Sequence, residues 1–455
     1  MSNPIRNDIL KHDVNVPRYT SYPTAPHFTM ASEYQDYIDA LQAVSSDDGL
    51  SIYIHVPFCQ KMCWYCGCHT KISRRYAPVE DYLYLLLREI DILADTFTEE
   101  PLVKLVHLGG GSPGLLRARD FELLITKLKQ RFRFTKDTDI AIELDPRGVT
   151  EGRVASYAKN GVTRVSLGVQ DFSHDVMKAV NREQPFHVSY EAVKLLRRYG
   201  VDHINVDLMY GLPHQNLQTA KETFSKLLYI DPDRVSYFGY AHVPWMKKHM
   251  RLIQEDTLPQ KDLRFDLFEA GQEYLLGLGY EPIGIDHFAK AEDSLCAALK
   301  DKTLHRNFQG YTDDNSQALI GLGASSIGET PDTFFQNQPD MPIYKDAILS
   351  GHLPIKKMYL KSADDKMRAK IIEHVMCYLS VDMEAFCDTL ECSVDLFKKE
   401  LDEIKKLEKF GFVHFATPYA FTIPQSAKLM TRLIASTFDT NFDNDQTINR
   451  HAAAI

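Results

Sequence analysis

Between about residues 50 and 240, short β-rich runs alternate with helical patterns, and this alternation constrains the fold more than any other feature of the chain. SIYIHVP (51–57), VKLVHL (103–108), DIAIEL (139–144), TRVSLGV (163–169), HINVDLMYG (203–211) and RVSYFGY (234–240) read as strands. They are rich in Val, Ile and Tyr, and most end in Gly, Pro or a polar residue. Residues 79–97 carry apolar side chains at helical spacing after Pro78, and residues 187–200 end in a basic last turn and a glycine. Strand and helix in alternation build a parallel sheet with right-handed crossovers. Six such units predict an α/β fold with a partial (β/α)6 barrel, short of the eight that close a full one.

Both flanks depart from the pattern. Residues 1–48 form an N-terminal extension that includes PRYTSYPTAPHF (17–28), whose three prolines suit neither helix nor strand. The barrel domain, with its extensions, is expected over 49–350 and a mainly helical C-terminal domain over 351–455. Helices are predicted there at 364–379, 393–411 and 424–438, with a small hairpin over 412–423.

At 455 residues, 44% hydrophobic and 25% charged, the chain is an ordinary globular one. A net charge of −10 argues against a generally basic nucleic-acid surface, so no nucleic-acid partner is expected. The first residues lack the apolar core of a secretory signal, and no stretch of about 18 uncharged apolar residues occurs. The expectations are therefore a cytoplasmic location, no membrane span and a monomer. Eight cysteines are too few for a disulfide scaffold. Cys296, Cys377, Cys387 and Cys392 are scattered and read as small buried hydrophobes.

Cys59, Cys63, Cys66 and Cys68 instead crowd into HVPFCQKMCWYCGCH (55–69), the loop after the first predicted strand. That end of a parallel sheet is where sites are built. The CxxxCxxC spacing of Cys59, Cys63 and Cys66 lets three thiolates wrap three irons of a cubane cluster and leave the fourth open. Zinc is the alternative, with Cys68 or His69 as fourth ligand. LGGGSPG (108–114) follows the second strand, where consecutive glycines allow a ligand close to the backbone. Glu143, Gln170 and Asp207 fall at the ends of later strands and converge on one mouth.

CxxxCxxC after the first strand of a six-unit barrel resembles the radical S-adenosylmethionine superfamily. PRYTSYPTAPHF, YIHVPFCQKMCWYCGCH, GVQDFSHDVMKAVNREQ, NVDLMYGLP, YAHVP, DHFA, HRNFQGYT and a closing FDTNF (438–442) together resemble oxygen-independent coproporphyrinogen III oxidases, from about residue 17 onward. The resemblance implies a 4Fe-4S cluster on Cys59, Cys63 and Cys66, with the fourth iron open to S-adenosylmethionine. Tyr53, Gly110, Glu143, Gln170, Arg182 and Asp207 match positions that contact this first S-adenosylmethionine. Tyr65, Gly111, Ser112, Ala241 and Ile327 match positions around a second. The chain has Ser112 where the family often has Thr, Trp64 where it has another aromatic, and Tyr65 where it has Phe. The role of Cys68 is left open.

The activity so implied is anaerobic oxidative decarboxylation of two propionates of coproporphyrinogen III to vinyl groups, giving protoporphyrinogen IX through a 5′-deoxyadenosyl radical. It calls for an electron donor and a terminal electron acceptor, both unidentified, and for no acid–base pair, so no catalytic side chain is assigned. Four propionates on the substrate call for cationic anchors, and Arg18 and Arg306 are candidates. Gln309 is expected near the substrate or the second cofactor. The alternatives are a related radical enzyme that degrades haem, a haem carrier without decarboxylase activity, and a zinc-dependent hydrolase.

Overall fold

The computed structural model describes residues 4–31, 33–47 and 49–442. Parts of the expected N-terminal extension (1–3, 32 and 48) and C-terminal domain (443–455) lie outside the described residues.

The six predicted strands form at Leu50–Val56 (β1), Val103–Gly110 (β2), Asp139–Leu144 (β3), Arg164–Gln170 (β4), His203–Tyr210 (β5) and Arg234–Gly239 (β6). They pair in chain order and in parallel. Helices return the chain between them. Ala77–Ala94 turns Val79, Tyr82, Leu83, Leu86, Ile90 and Leu93 inward, the stripe a helix needs to cover a sheet. Leu217–Ile230 starts on a capping box in which the Asn216 side chain accepts from the Thr219 backbone and Thr219 answers to the Asn216 backbone.

The sheet is larger than the six-unit reading. It has 13 strands, and a seventh parallel one, Ala318–Leu322, lies on the far side of β1. Ile327–Glu329, Thr333–Asn337, Ile355–Leu360 and Thr29–Met30 extend that edge antiparallel. Beyond β6 come His287–Ala289 and Glu281–Ile283, also antiparallel. These strands run two to six residues, too short for their periodicity to stand out. The sheet reaches Leu360, past the expected boundary at 350.

The N-terminal extension holds helices Arg6–Lys11 and Tyr34–Gln42, while 17–28 carries only one short 3-10 turn, Ala25–His27. The C-terminal region is helical at Ala363–Tyr378 but differs elsewhere. The helix expected over 393–411 breaks into Val394–Phe397, Lys398–Lys405 and Glu408–Phe410, and that over 424–438 into Gln425–Met430 and Thr431–Ser436. The expected hairpin, His414–Thr417 with Ala420–Thr422, gains a third strand, Ser380–Asp382. Among the described residues, no helix is long and apolar enough to cross a membrane.

Candidate active site

The cysteine loop is fastened on three sides. The Ser73 and Lys71 amides donate to the Cys59 and Pro57 carbonyls, 2.9 and 2.6 Å away. Asn181 Nδ2 donates to the Met62 carbonyl at 2.7 Å, and the Trp64 amide to the Val180 carbonyl at 3.0 Å. From the loop after β6, Lys247 Nζ donates to the Cys68 carbonyl at 3.1 Å, and His249 Nε2 sits 2.8 Å from that of Cys66. One adjoining and two distant segments thus set where the thiols point.

The thiols differ in how readily they ionise. Burial, with Cys66 and Cys63 close by, pushes Cys59 up to about 12. A hydrogen bond from Cys68 pulls Cys66 down to about 6. Cys63 is buried and receives Arg182 Nη1 at 3.4 Å and Arg147 Nη2 at 3.9 Å. Such crowding favours protonated thiols unless positive charge enters among them. Among the described residues, no three Cys, His, Asp or Glu side chains gather around a point suited to a single metal ion.

The glycine run makes the adjoining wall. Gly110 has φ +107°, and a Cβ there would lie 2.5 Å from the His55 ring; one at Gly111 would press the Phe58 backbone at 2.8 Å. Only glycine fits both places. The Gly110 amide donates to Glu143 Oε2 at 3.2 Å, and His107 Nε2 lies 3.1 Å from Glu143 Oε1. Burial would raise the Glu143 carboxyl, but His107 and the Gly110 amide hold it below its usual value.

Inside the barrel, Asp207 accepts from Ser166 Oγ at 2.9 Å and Asn205 Nδ2 at 2.8 Å, and Ser236 Oγ donates to Asn205 Oδ1 at 3.2 Å. Burial and the nearby Glu143 push Asp207 up to about 6. Glu143, Asp207, Gln309, Phe238, His287 and Tyr311 share the lining of a cavity of about 250 Å³. The Gln309 side-chain nitrogen is buried there without a hydrogen-bond partner. Gln170, at φ +72°, and Arg182 fold over Gly168, where a Cβ would meet Gln170 Nε2 at 2.9 Å and Arg182 Nη2 at 3.2 Å.

The expected residues therefore divide. Glu143 and Asp207 meet in the cavity, Arg182 reaches the cysteine loop, and Tyr53 OH lies 3.1 Å from His55 beside the glycine run. Tyr65, Ser112, Ala241 and Ile327 do not line that cavity: Ala241 sits in the loop after β6, and Ile327 opens an antiparallel strand. Of the scattered cysteines, Cys296, Cys377 and Cys387 are buried and Cys392 is half-buried. The sequence reading missed His107, Ser166, Asn205, Ser236, Asp145 and Arg147. The period-2 alternation along β4, β5 and β6 places Ser166, Asn205 and Ser236 on one face and could have found them.

Residues 53–227 match the Radical SAM superfamily. The solved coproporphyrinogen III oxidase of Escherichia coli, described as a radical SAM enzyme, superposes with a TM-score of 0.89 at 32% identity, covering 93% of this chain and 98% of that one. The fold and the placing of the cysteine loop make this chain a radical SAM enzyme, an oxidoreductase. Proteins named oxygen-independent coproporphyrinogen III oxidase are 39% identical in Bradyrhizobium diazoefficiens (96% of this chain, 97% of that one) and 38% in Paracoccus denitrificans (97% of each). The chain belongs to the oxygen-independent coproporphyrinogen III oxidase family.

Proposed function

We propose that this chain carries out the oxidative decarboxylation of two propionates of coproporphyrinogen III, giving protoporphyrinogen IX. The observation that carries the reading is the near full-length likeness to enzymes of that name, with the cysteine loop at the C-terminal end of β1. That name favours decarboxylation over haem degradation or haem carriage.

The donor set fits the iron–sulfur cofactor that the superfamily implies. Cys59, Cys63 and Cys66 would hold it, and Cys59, pushed up by burial beside the other two, needs nearby positive charge to ionise. Gly110, Glu143, Gln170, Arg182, Asp207 and Tyr53 would hold one S-adenosylmethionine: Arg182 for its carboxylate, Asp207 and Glu143 for polar hydrogens. Tyr65, Gly111, Ser112, Ala241 and Ile327 would meet a second, and the unpartnered amide of Gln309 supports a further polar ligand in this cavity. Together, cluster and S-adenosylmethionine supply an oxidant able to take hydrogen from an unactivated carbon.

The chain's own work is to bind and to exclude. Each propionate loses one hydrogen atom, one further electron and CO2, and keeps a carbon–carbon double bond. The protein has to hold the β-carbon at the site and keep water from it. We place the N-terminal segment and HRNFQGYT at that task, and the boundary of the C-terminal domain after Leu360. A one-electron donor and a terminal acceptor complete the reaction, which we assign to a monomer in the cytoplasm.

Anaerobic reconstitution with iron and sulfide, then incubation with S-adenosylmethionine, a reductant and coproporphyrinogen III, tests the reading. Mass analysis should show two successive losses of the elements of formic acid (CO2 and two hydrogens). S-Adenosylmethionine cleavage with intact coproporphyrinogen III would overturn it.

A further inference from the structure

A cluster of cations lies beside the cavity, with Arg306 stacked on the lining residue Tyr311. Arg306 comes from the strand His305–Asn307, Lys428 and Arg432 from the C-terminal helical turns, and Arg18 from the N-terminal segment. All four act electrostatically on one buried carboxylate, Asp286. Burial would raise Asp286, but Arg306, His287 and Arg18 hold it down at about 2, so it is ionised. Glu269 is the other acid that acts on Lys428.

Two of these cations are deeply buried. The Arg306 side chain is 5% exposed, its Nη1 is 3.8 Å from Asp286, and neither its Nε nor its Nη1 has a hydrogen-bond partner. Its guanidinium stacks 4.5 Å over Tyr311, which lines the cavity, and His287, another lining residue, holds Asp286 at 2.7 Å. Lys428 is 1% exposed, rests 4.7 Å over the Phe288 ring, and its Nζ lacks a hydrogen-bond partner. Burial pulls Lys428 down to about 8; it also works against Arg306, but Tyr311 and Asp286 keep that side chain charged. Even so, two buried nitrogens of Arg306 lack hydrogen-bond partners, and buried donors are seldom left so.

Arg18 differs from the others. Its side chain is deeply surrounded yet remains solvent-accessible, and it senses Arg306, Asp286 and Cys68. Its exposed side chain is thus open to a ligand on the side where those charges lie. Arg432 fixes it there: Nε donates to the Pro17 carbonyl at 3.0 Å, and Nη2 to that of Val16. Tyr19 OH donates to Asp439 at 3.0 Å, and Tyr22 OH lies 3.1 Å from Thr440 Oγ1. The backbone on both sides of Arg18 is thus clasped by the C-terminal region.

We infer that Arg18 and Arg306 form a two-guanidinium clamp for propionate carboxylates of the substrate, with Arg432 as the residue that positions Arg18. This rests on the function proposed above. Arg306 keeps its 3.8 Å contact with Asp286 through Nη1, while its buried Nε has no hydrogen-bond partner to hold it from a ligand. A planar guanidinium can meet a carboxylate with two parallel N–H donors, which fixes direction as well as distance. Anchoring the carboxylates that are kept would turn the reacting propionate toward the cysteine loop.

The test is equilibrium binding of coproporphyrin III, the stable oxidised tetracarboxylate, and of its tetramethyl ester to the reconstituted enzyme, followed by fluorescence. Arg18→Gln and Arg306→Gln should each weaken binding of the acid at least tenfold and change ester binding less than twofold. Arg432→Met should match the Arg18→Gln loss, and the Arg18→Gln/Arg432→Met pair should lose no more than either alone, since positioning acts through Arg18. Arg306→Lys should recover part of the affinity, which separates charge pairing from folding. Acid binding within twofold of wild type in both glutamine variants overturns the clamp, as does equal loss of the ester. Multiplying losses in the pair remove Arg432 from its role. Wild-type turnover, read separately by product mass, distinguishes failure of the clamp from failure of the proposed function.

Discussion

Arg182 Nη1 lies 3.4 Å from the Cys63 sulfur and also 3.4 Å from Asp145 Oδ2, so one guanidinium joins the cysteine loop to the turn after β3. Its Nη2 donates to the Gly168 carbonyl at 2.5 Å, which ties in the end of β4 as well. A single buried cation thus gathers three barrel segments around the thiols. Burial works against this charge, but Tyr65, Asp145 and Cys63 more than offset it, so Arg182 stays protonated.

Removing that charge should make an iron–sulfur cluster here harder to reduce. Adding an electron beside a fixed cation is favoured, and Arg182→Gln takes the cation away. A shift of tens of millivolts to lower potential is expected, read by anaerobic redox titration with EPR detection. An unchanged potential would place Arg182 outside the cluster's electrostatic reach.

Cysteine replacement sorts ligands from bystanders. Cys59→Ala, Cys63→Ala and Cys66→Ala should each reduce bound iron to a small fraction of wild type, because a missing thiolate leaves an iron unligated. Cys68→Ala should keep its iron. Iron and sulfide analysis of anaerobically purified protein decides the assignment, and iron loss on replacing Cys68 would make it a ligand.

Asp207 gives a pH signature. Its carboxyl is raised from 3.8 to about 6, chiefly by burial, so the folded state keeps a proton that the unfolded chain releases. The stability from this group is fully present below 3.8 and is lost as pH rises through about 6. Asp207→Asn should therefore raise the melting temperature at pH 7.5, by a change on the order of 1–2 kcal/mol, and have little effect near pH 4. The same variant should weaken S-adenosylmethionine binding by tenfold or more. No gain in stability at pH 7.5 would count against a strained carboxylate.

The N-terminal clasp can be loosened without touching the barrel. Tyr19→Phe removes the donor of a buried 3.0 Å hydrogen bond, and Asp439→Asn weakens it by replacing the charged acceptor with a neutral amide, a loss of up to about 1 kcal/mol. Since both act on one contact, the double variant should cost little more than either single one. Faster tryptic cleavage after Arg18 is the expected readout, and wild-type cleavage rates would show that the bond does not hold the segment.

All six central strands were legible because their alternation and end signals are local properties of the chain. The cysteine spacing was legible for the same reason: ligands on one loop are neighbours in sequence. Glu143 and Asp207 were expected at strand ends on one mouth; they do share a cavity, but Asp207 lies in the middle of β5 and not at its end. The partnership of Arg182 with Cys63 and Asp145 was not legible, since it joins positions 119 residues apart at one of its contacts. Ala318–Leu322 escaped because five residues with a glycine in the fourth place look like a turn until β1 offers its free edge.

The clasp makes the contrast clearest. PRYTSYPTAPHF and FDTNF stood out as motifs, yet nothing local connects them, and each alone suits neither helix nor strand. Tyr19 meets Asp439 across 420 positions of chain, and Arg432 meets Pro17 across 415. The sequence by itself determined the parallel α/β core, the cysteine loop and the chemistry its spacing allows, because these follow from short-range periodicity and residue type. Only the tertiary structure decided which cations share Asp286 and which residues hold Arg18 in place. Those contacts form after the sheet has brought the chain's two ends together, and no short-range pattern encodes them.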